Sequence, residues 1–579
     1  MHLIGARPSS CYTDAMLSRL IDHPMSGVVV VFLIGIIGAC SVSMRDSMGW
    51  DEAMHLAAPA AHISQALGEG EVREAMNVVL SCERYPPLTP ALHGFLGWVL
   101  GSDELLMRQT QRWFWALGLL GIFLLVRAAC RPDEDDEPSP GTRGAPWMAL
   151  ALLAMSPMAL AFGGTLFLET SFVAWGTLAV AAWIVRSQKD SLLWDVGTGV
   201  LLAACLFTKW NYGLLLGAAL AVDLALEGVA RRDNLRPYLL SVLRLGLPSV
   251  LACLWWFGLP VPAGLETAAS HRAAFISFLG GNTGLQETPA AERWVHWTLS
   301  LVPSPRVILW VVLAAGLMLF RLRSRAIRTL VLVLVLGGVP VWTHNFQLER
   351  FLLPGAPFLF ALAAIGVSGF LARLGSPGAF MGVALLGFGL VVPVADSMAM
   401  LHAVGRARPE KRAEQEVILA AMRSLAPGRS LPTNGIERAS HDRLIALLDI
   451  AFQPGDRIAW LGHSQAFPPM AWAMGLKALR SDDPRARDLI RDPHGHIITT
   501  DNTAPSWSSA ELEHWAGDFD VILTSDPTTI KGGARQGFAP LKSHLRANAE
   551  WREKVVGSAE VQLPGGRMRE VTLSAFRRR

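Results

Sequence analysis

The chain has 579 residues, of which 51% are hydrophobic and 17% charged, and its mean hydropathy is positive. That length exceeds one ordinary domain, and the apolar content belongs to a protein threaded repeatedly through a bilayer. The formal net charge of +3 is small and the basic residues gather in short loops between apolar runs, so nucleic acid is excluded as a natural partner. Cys11, Cys40, Cys82, Cys130, Cys205 and Cys253 are the only cysteines, none in a metal-ligand spacing. The C-terminal third therefore has neither a disulfide framework nor a cysteine-built zinc site.

Residues 1–26 form a polar, cytoplasmic N-terminal tail ahead of an apolar run, Gly27 to Met44, that reads as an uncleaved first membrane helix. Directly after it comes Gly49-Trp50-Asp51-Glu52-Ala53-Met54-His55. If the helix continues, Asp51 and Glu52 share a face with His55, four and three residues on. An ionisable cluster where a transmembrane helix emerges is a candidate functional site. A plain interfacial helix start, with acids near its positive end, fits the heptapeptide equally well.

An outer loop over residues 46–110 follows, in which Ala53 to Leu67 reads as an amphipathic helix lying on the membrane. The consecutive prolines of Tyr85-Pro86-Pro87-Leu88 stiffen the chain and can hold Tyr85 at a cavity rim, or simply launch the next helix. Leu88 to Leu100 is too short to span and reads as interfacial or half-inserted; Gly101-Ser102-Asp103 then restarts the chain. With Gly27 to Met44, apolar runs near 111–129, 145–163, 170–186, 191–208, 210–227, 237–259, 301–320, 327–343, 351–371 and 376–395 make about eleven transmembrane helices. Arginines such as Arg127, Arg186, Arg231 and Arg321 fall in alternate short loops, which the positive-inside rule places in the cytoplasm. Asp51, Glu169, Lys209 and Arg350 then all emerge on the outer face.

The acidic pair, the surface helix, Tyr85-Pro86-Pro87-Leu88, and Gly101-Ser102-Asp103-Glu104 followed by Arg108 together resemble the GT-C glycosyltransferases. The likeness is to the bacterial branch akin to protein mannosyltransferases and lipid A aminoarabinose transferases, and covers residues 27–396. It implies a multi-pass enzyme of the bacterial inner membrane that takes a sugar from a polyprenyl-phosphate donor on the outer face. The acceptor, whether lipid, glycan or protein, is not specified.

Further along, Glu169 interrupts the apolar turn Gly163 to Thr170, at a depth where a carboxylate must be hydrated, paired or metal-bound. The resemblance matches it to the family's second acidic residue; lacking an adjacent acid, it leaves a divalent cation an open question, with no certain cofactor. Lys209, in Phe207-Thr208-Lys209-Trp210, is pinned between two apolar runs, suited either to a phosphate or to snorkelling among headgroups. Residues 260–300 interleave His271, Arg272, Arg293, Trp294, His296 and Trp297, as an interfacial belt would. Thr343-His344-Asn345-Phe346-Gln347-Leu348-Glu349-Arg350-Phe351 resembles the family's late arginine-aromatic element. By that resemblance Asp51, Glu52 and Glu169 are catalytic, Lys209, Arg350 and His344 bind the donor phosphate, and His55 and Tyr85 line the cavity.

After Asp396 the composition turns mixed and charged, and residues 405–579 read as an extracytoplasmic α/β domain with short buried strands at Arg457 to Leu461, His496 to Thr500 and Asp520 to Thr524. Leu461-Gly462-His463-Ser464-Gln465-Ala466, with Asp526 and His544 later, has the order of a serine-hydrolase triad. The second elbow glycine is replaced by Ala466, so a helix-capping Ser464 is the better reading. A non-enzymatic transporter is weaker still, since no internal repeat is evident.

Overall fold

The computed structural model describes residues 23–40, 48, 52–82, 85–131, 144–154, 156–188, 191–230, 235–261, 263–279, 301, 305–338, 349–371, 438–451, 453, 456–461, 473, 497–498, 510, 514, 516–526, 542–562 and 568–579. Asp51, His344, Ser464 and the 376–395 run lie outside them. The apolar runs become helices: α1 (Pro24–Cys40), α2 (Ala58–Gly68), α3 (Val72–Ser81), α4 (Leu88–Leu100), α5 (Glu104–Ala129), α6 (Ala145–Ala154), α7 (Pro157–Phe162) and α8 (Leu168–Gln188). They continue as α9 (Leu192–Thr208), α10 (Trp210–Ala230), α11 (Leu235–Phe257), α12 (Gly264–Leu279), α13 (Pro305–Leu317), α14 (Arg325–Leu332) and α15 (Ala356–Leu371). Among the described residues, α5, α8, α10 and α11 are long and apolar enough to cross a membrane; α1, α4, α6, α9 and α15 are shorter apolar helices.

Local sequence accounts for the breaks. Proline cannot donate and pushes its predecessor out of the helical region; accordingly Ser156 is extended ahead of Pro157, dividing the 145–163 run into α6 and α7. Its hydroxyl donates to Leu301 O at 2.8 Å. Between α4 and α5 the chain turns through Gly101 at φ 113°, a conformation that favours glycine, and Asp103 Oδ1 then caps α5 by accepting from Leu106 N–H at 2.9 Å. The 327–343 run gives α14 followed by a π turn, Val333–Gly338.

α5 and α8 cross at the centre, where lipid-excluding contact depends on small residues. A Cβ on Gly121 would come 2.0 Å from Thr177 Oγ1, and one on Gly118 would come 2.9 Å from Val173 Cγ1. Outside this centre the helices present apolar side chains: Val29, Phe32, Leu33 and Ile36 on α1, and Leu239, Leu243, Leu247 and Leu254 on α11, are exposed. An apolar skin of that kind is what a lipid solvent requires. The segment expected to lie on the membrane differs: a π turn, Ala53–Ala57, leads into α2, where Ala58, Ala60, Ala61, His62, Ile63, Ser64 and Ala66 are buried. Their burial covers the helix all round, so α2 is packed in protein against α3 and α4.

The end of the bundle carrying Arg186 is held by ions. Arg186 reaches Asp195 (3.4 Å), Glu227 (3.0 Å) and Ser241 Oγ (2.9 Å), while Arg325 Nη1 donates to Glu227 Oε1 at 2.8 Å. Asp223 accepts from Trp183 Nε1 (2.9 Å), Thr329 Oγ1 (2.8 Å) and Arg328 Nε (3.1 Å). Five helices, α8 to α11 and α14, meet there.

The C-terminal residues form helix α16 (Arg438–Ala451) and a five-stranded sheet, β1 (Ile458–Leu461), β2 (Ile497–Ile498), β3 (Val521–Asp526), β4 (Trp551–Gln562) and β5 (Met568–Arg578), in the order β2-β1-β3-β5-β4. β1 lies parallel to β2 and β3; β5 is antiparallel to β3 and β4. The three expected strands are present, and the β4–β5 hairpin is an addition. One apolar cluster joins Leu444, Trp460 and Leu523 of this domain with Met48, Leu56 and Leu166, so the sheet sits on the end of the bundle where Glu52 and Glu169 lie.

Glu227→Ala is expected to lose about 2–3 kcal/mol of stability, because it removes the carboxylate shared by buried Arg186 and half-buried Arg325. Glu266→Ala, at an exposed position, should stay within about 0.5 kcal/mol. Thermal unfolding in detergent checks both; equal effects would refute an energetic role for the ionic end.

Candidate functional site

The site is built on the short turn between α7 and α8, whose backbone polar groups need partners because neither lipid nor a dry interior supplies them. Four of them are met by named side chains. Leu166 N–H donates to Glu52 Oε1 at 2.8 Å. Gly164 O lies 3.4 Å from Arg108 Nη1, and Phe167 O accepts from Gln111 Nε2 at 2.7 Å. Phe162 O receives both Thr165 Oγ1 and Thr170 Oγ1, at 2.8 and 2.9 Å. The turn also lies tight on α5: a Cβ on Gly164 would meet Arg112 Nε at 2.6 Å, which is why a glycine stands there.

α5 supplies two of these partners, Arg108 and Gln111, from one face. Glu104, Arg108 and Arg112 recur every four residues, so they stack along the helix. Arg108 Nε donates to Glu104 Oε1 at 2.9 Å, and Arg108 Nη1 is 3.7 Å from Glu52 Oε1. Gln111 Oε1 faces His93 Nε2 (2.9 Å) and Ser171 Oγ (3.3 Å). Since the amide nitrogen is committed to Phe167 O, both of those groups must donate, which fixes His93 with its proton on Nε2.

The turn delivers Glu169 into the first turn of α8, where it is buried. Lys209 Nζ approaches Glu169 Oε1 to 2.6 Å and Arg350 Nε lies 3.5 Å from the same oxygen. Lys209 occupies a single extended residue linking α9 to α10, with φ −155° and ψ 92°, so its side chain leaves the backbone where two helices end. Arg350 comes from a 3-10 turn, Glu349–Leu352, ahead of α15. Aromatic faces complete the cluster: Lys209 Nζ is 5.1 Å from the Tyr85 ring, 4.8 Å from Tyr212 and 5.4 Å from Phe351, and the Arg350 guanidinium is 4.1 Å from Phe167. Tyr85 in turn packs edge-on against His55, with centroids 4.8 Å apart. A dry aromatic wall strengthens the attraction between the charges it encloses and favours cations over its faces.

Compared with solved structures, the chain is similar to ArnT, the lipid A aminoarabinose transferase, from Cupriavidus metallidurans in the apo state, with a TM-score of 0.54 at 16% identity over 95% of this chain and 97% of that one. ArnT from the same organism bound to undecaprenyl phosphate gives 0.53 at 15% identity, again over 95% and 97%. The fold is that of the GT-C glycosyltransferases. The arabinofuranosyltransferase AftD from Mycobacteria is matched over 94% of this chain and 39% of its own, with a TM-score of 0.46 and 15% identity. No protein-family profile matches the sequence, and no curated protein does.

Within this GT-C fold, six of the eight residues singled out from sequence converge. Glu169, Lys209 and Arg350 touch directly; Tyr85 and His55 wall the cluster; Glu52 reaches it through Leu166. Asp51, adjacent to Glu52, and His344 are outside the described residues. Lys209 and Arg350 were expected to face a phosphate, and in the structure both face Glu169. Sequence reasoning used Arg108 as a motif residue without giving it a role and missed Gln111 and Arg112, although Glu104, Arg108 and Arg112 at four-residue spacing in an otherwise apolar helix were a readable signal. Among the described residues, no three His, Cys, Asp or Glu side chains gather as metal ligands would.

Glu52→Ala should cost about 3 kcal/mol or more, because it leaves Leu166 N–H without its acceptor and removes a counter-charge from buried Arg108. Glu52→Gln retains an acceptor oxygen and should lose clearly less. Thermal unfolding of both variants decides whether Glu52 holds the turn.

Proposed function

We propose that the protein is a membrane glycosyltransferase that moves a sugar from a polyprenyl-phosphate donor to an acceptor hydroxyl or amine outside the cytoplasm. The observation that carries this reading is the buried cluster of one carboxylate and two cations, Glu169 with Lys209 and Arg350. These three groups sum to one net positive charge, so an incoming phosphate completes the cluster instead of having to displace an equal negative charge. Arg350 brings several fixed N–H donors and Lys209 a compact charge, a combination suited to phosphate oxygens. The fold shared with ArnT, a transferase with a structure bound to undecaprenyl phosphate, supports a lipid-phosphate donor.

In this reading Asp51 is the general base. The acceptor's proton passes to its carboxylate while the acceptor atom attacks the anomeric carbon, and the bond from that carbon to the phosphate oxygen breaks. Attack from the face opposite the leaving group inverts the anomeric centre. Polyprenyl phosphate departs with the bonding electrons, and Lys209 and Arg350 stabilise the charge that grows on it. Glu52 fixes the turn that presents Glu169, and Glu169 keeps the two cations in place. His55 and Tyr85 shape the wall beside them, and the active site opens to the face away from the cytoplasm.

Mutants of the two groups should differ in kind. Asp51→Asn is expected to reduce turnover by roughly a hundredfold or more with donor binding little changed, the scale of general-base loss. Lys209→Ala and Arg350→Ala should weaken donor binding as well as transfer. Transfer from a purified polyprenyl-phosphate sugar in nanodiscs, with binding followed separately, tests this; near-normal turnover by folded Asp51→Asn would remove the proposed base. Sidedness has its own test, in which single cysteines placed at residue 85 and in the 163–168 turn should both react with an impermeant thiol reagent added outside the cell. Labelling from opposite sides would contradict a shared outer site.

A further inference from the structure

Outside the ionic cluster, the buried side chain with the most demanding surroundings is His271 on α12. Its Nε2 lies 2.6 Å from Leu80 O and its Nδ1 lies 3.0 Å from Trp256 O. Carbonyl oxygens only accept, and a neutral imidazole has a single N–H, so a neutral ring would set a nitrogen lone pair against one of the two oxygens. The geometry is satisfied by the imidazolium form, with both nitrogens donating. Trp256 stacks on the same ring, centroids 3.8 Å apart and planes 6° from parallel, which favours a cation further.

The two carbonyls are not ordinary ones. Leu80 is in the last turn of α3 and Trp256 in the last turn of α11, so both oxygens belong to helix C-termini, where carbonyls lack intrahelical donors and the helix dipole is negative. A single cation there caps two helices. The neighbouring titratable groups do not replace it. On its own helix, Arg272 donates to Phe257 O and Glu266 is exposed. From α3, the Cys82 thiol donates to Val78 O and is pushed up by burial to about 12, hence neutral. The last turn of α11 contributes the thiol of Cys253 and no charged side chain. Glu83 and Arg84 lie outside the described residues.

α12 also reaches the proposed phosphate site on both sides. Tyr85, which faces Lys209, follows α3 by four residues. Phe275, one helical turn beyond His271, packs on Trp210 with centroids 4.5 Å apart, and Trp210 is next to Lys209. We propose that His271 is a positioning residue, an imidazolium clasp that joins the C-termini of α3 and α11 and thereby holds Tyr85 and the Lys209–Trp210 junction around the anion, releasing them when it loses a proton. The second half of this statement rests on the proposed phosphate site; the first does not.

The clasp itself is tested on purified full-length protein by comparing the melting temperatures of wild type and His271→Gln from about pH 5.5 to about pH 9. A contribution made by the charged ring is complete on the acid side and is lost as pH rises, so the wild-type advantage should shrink toward zero at alkaline pH. A constant or growing advantage means a neutral ring and overturns the proposal. If His271→Gln fails to accumulate, His271→Lys takes its place: it should lack the alkaline loss that wild type shows, and an equal loss in both overturns the clasp. Binding of polyprenyl phosphate, measured across the same range, should weaken several-fold with rising pH in wild type and stay flat in the variant. A pH-dependent clasp without that change in affinity overturns its link to the site. Absence of any sugar transfer, with the stability result intact, counts against the glycosyltransferase reading and leaves the clasp standing.

Discussion

One buried carboxylate facing two buried cations is the constraint around which the site end of this protein is arranged. Glu169, Lys209 and Arg350 come from three separate segments, each placed at a helix end, and each would be expensive to bury alone. Their meeting point must therefore be held to within fractions of an ångström by groups that do not themselves take part. That requirement explains the polar investment beneath the 163–168 turn, where Glu52, Arg108 and Gln111 satisfy successive backbone groups. A short turn secured by three side chains has few alternative conformations, so the position of Glu169 is set by the fold itself.

The same reasoning separates two kinds of acid near the site. Glu52 Oε1 accepts a backbone N–H and lies 3.7 Å from Arg108 Nη1, so that oxygen is engaged in holding the turn. Glu169 is a counter-ion. Its Oε1 faces both cations, and the proposed base is Asp51, beside Glu52 in sequence.

Much of this was legible in the chain, and the reason differs by element. Long apolar runs declare themselves through composition, and isolated charges within them, Glu169 and Lys209, stand out because lipid penalises them. Arg350 is legible only beside its motif. Where Pro157 divides an apolar run the break was readable from proline chemistry, yet periodicity alone favoured one span. Tertiary packing was not legible at α2, whose alternation of alanine with polar residues looks like a membrane-surface helix and is instead buried among α3 and α4. The β4–β5 hairpin escaped because its strands mix charged residues with apolar ones, the pattern of a sheet with one solvated face, while the expected strands were the fully buried kind. The Pro564-Gly565-Gly566 stretch between them was the available turn signal.

The two ends of the bundle use charge for opposite purposes. Along α8, Glu169 and Arg186 are separated by roughly 25 Å of helical rise, about the thickness of a membrane's apolar core. At the Arg186 end, Asp195, Asp223 and Glu227 balance Arg186, Arg325 and Arg328 one for one, and tryptophan, serine and threonine groups supply further hydrogen bonds. A balanced, interlocked network of this kind has little affinity left for an outside ion and ties five helices together, which resists the relative rocking of helices that alternating access requires. At the Glu169 end two cations and one carboxylate are surrounded by aromatic faces. An end interlocked by ion pairs, opposite an end where two cations and one carboxylate meet aromatic faces, suits the proposed one-sided site better than a path through the membrane.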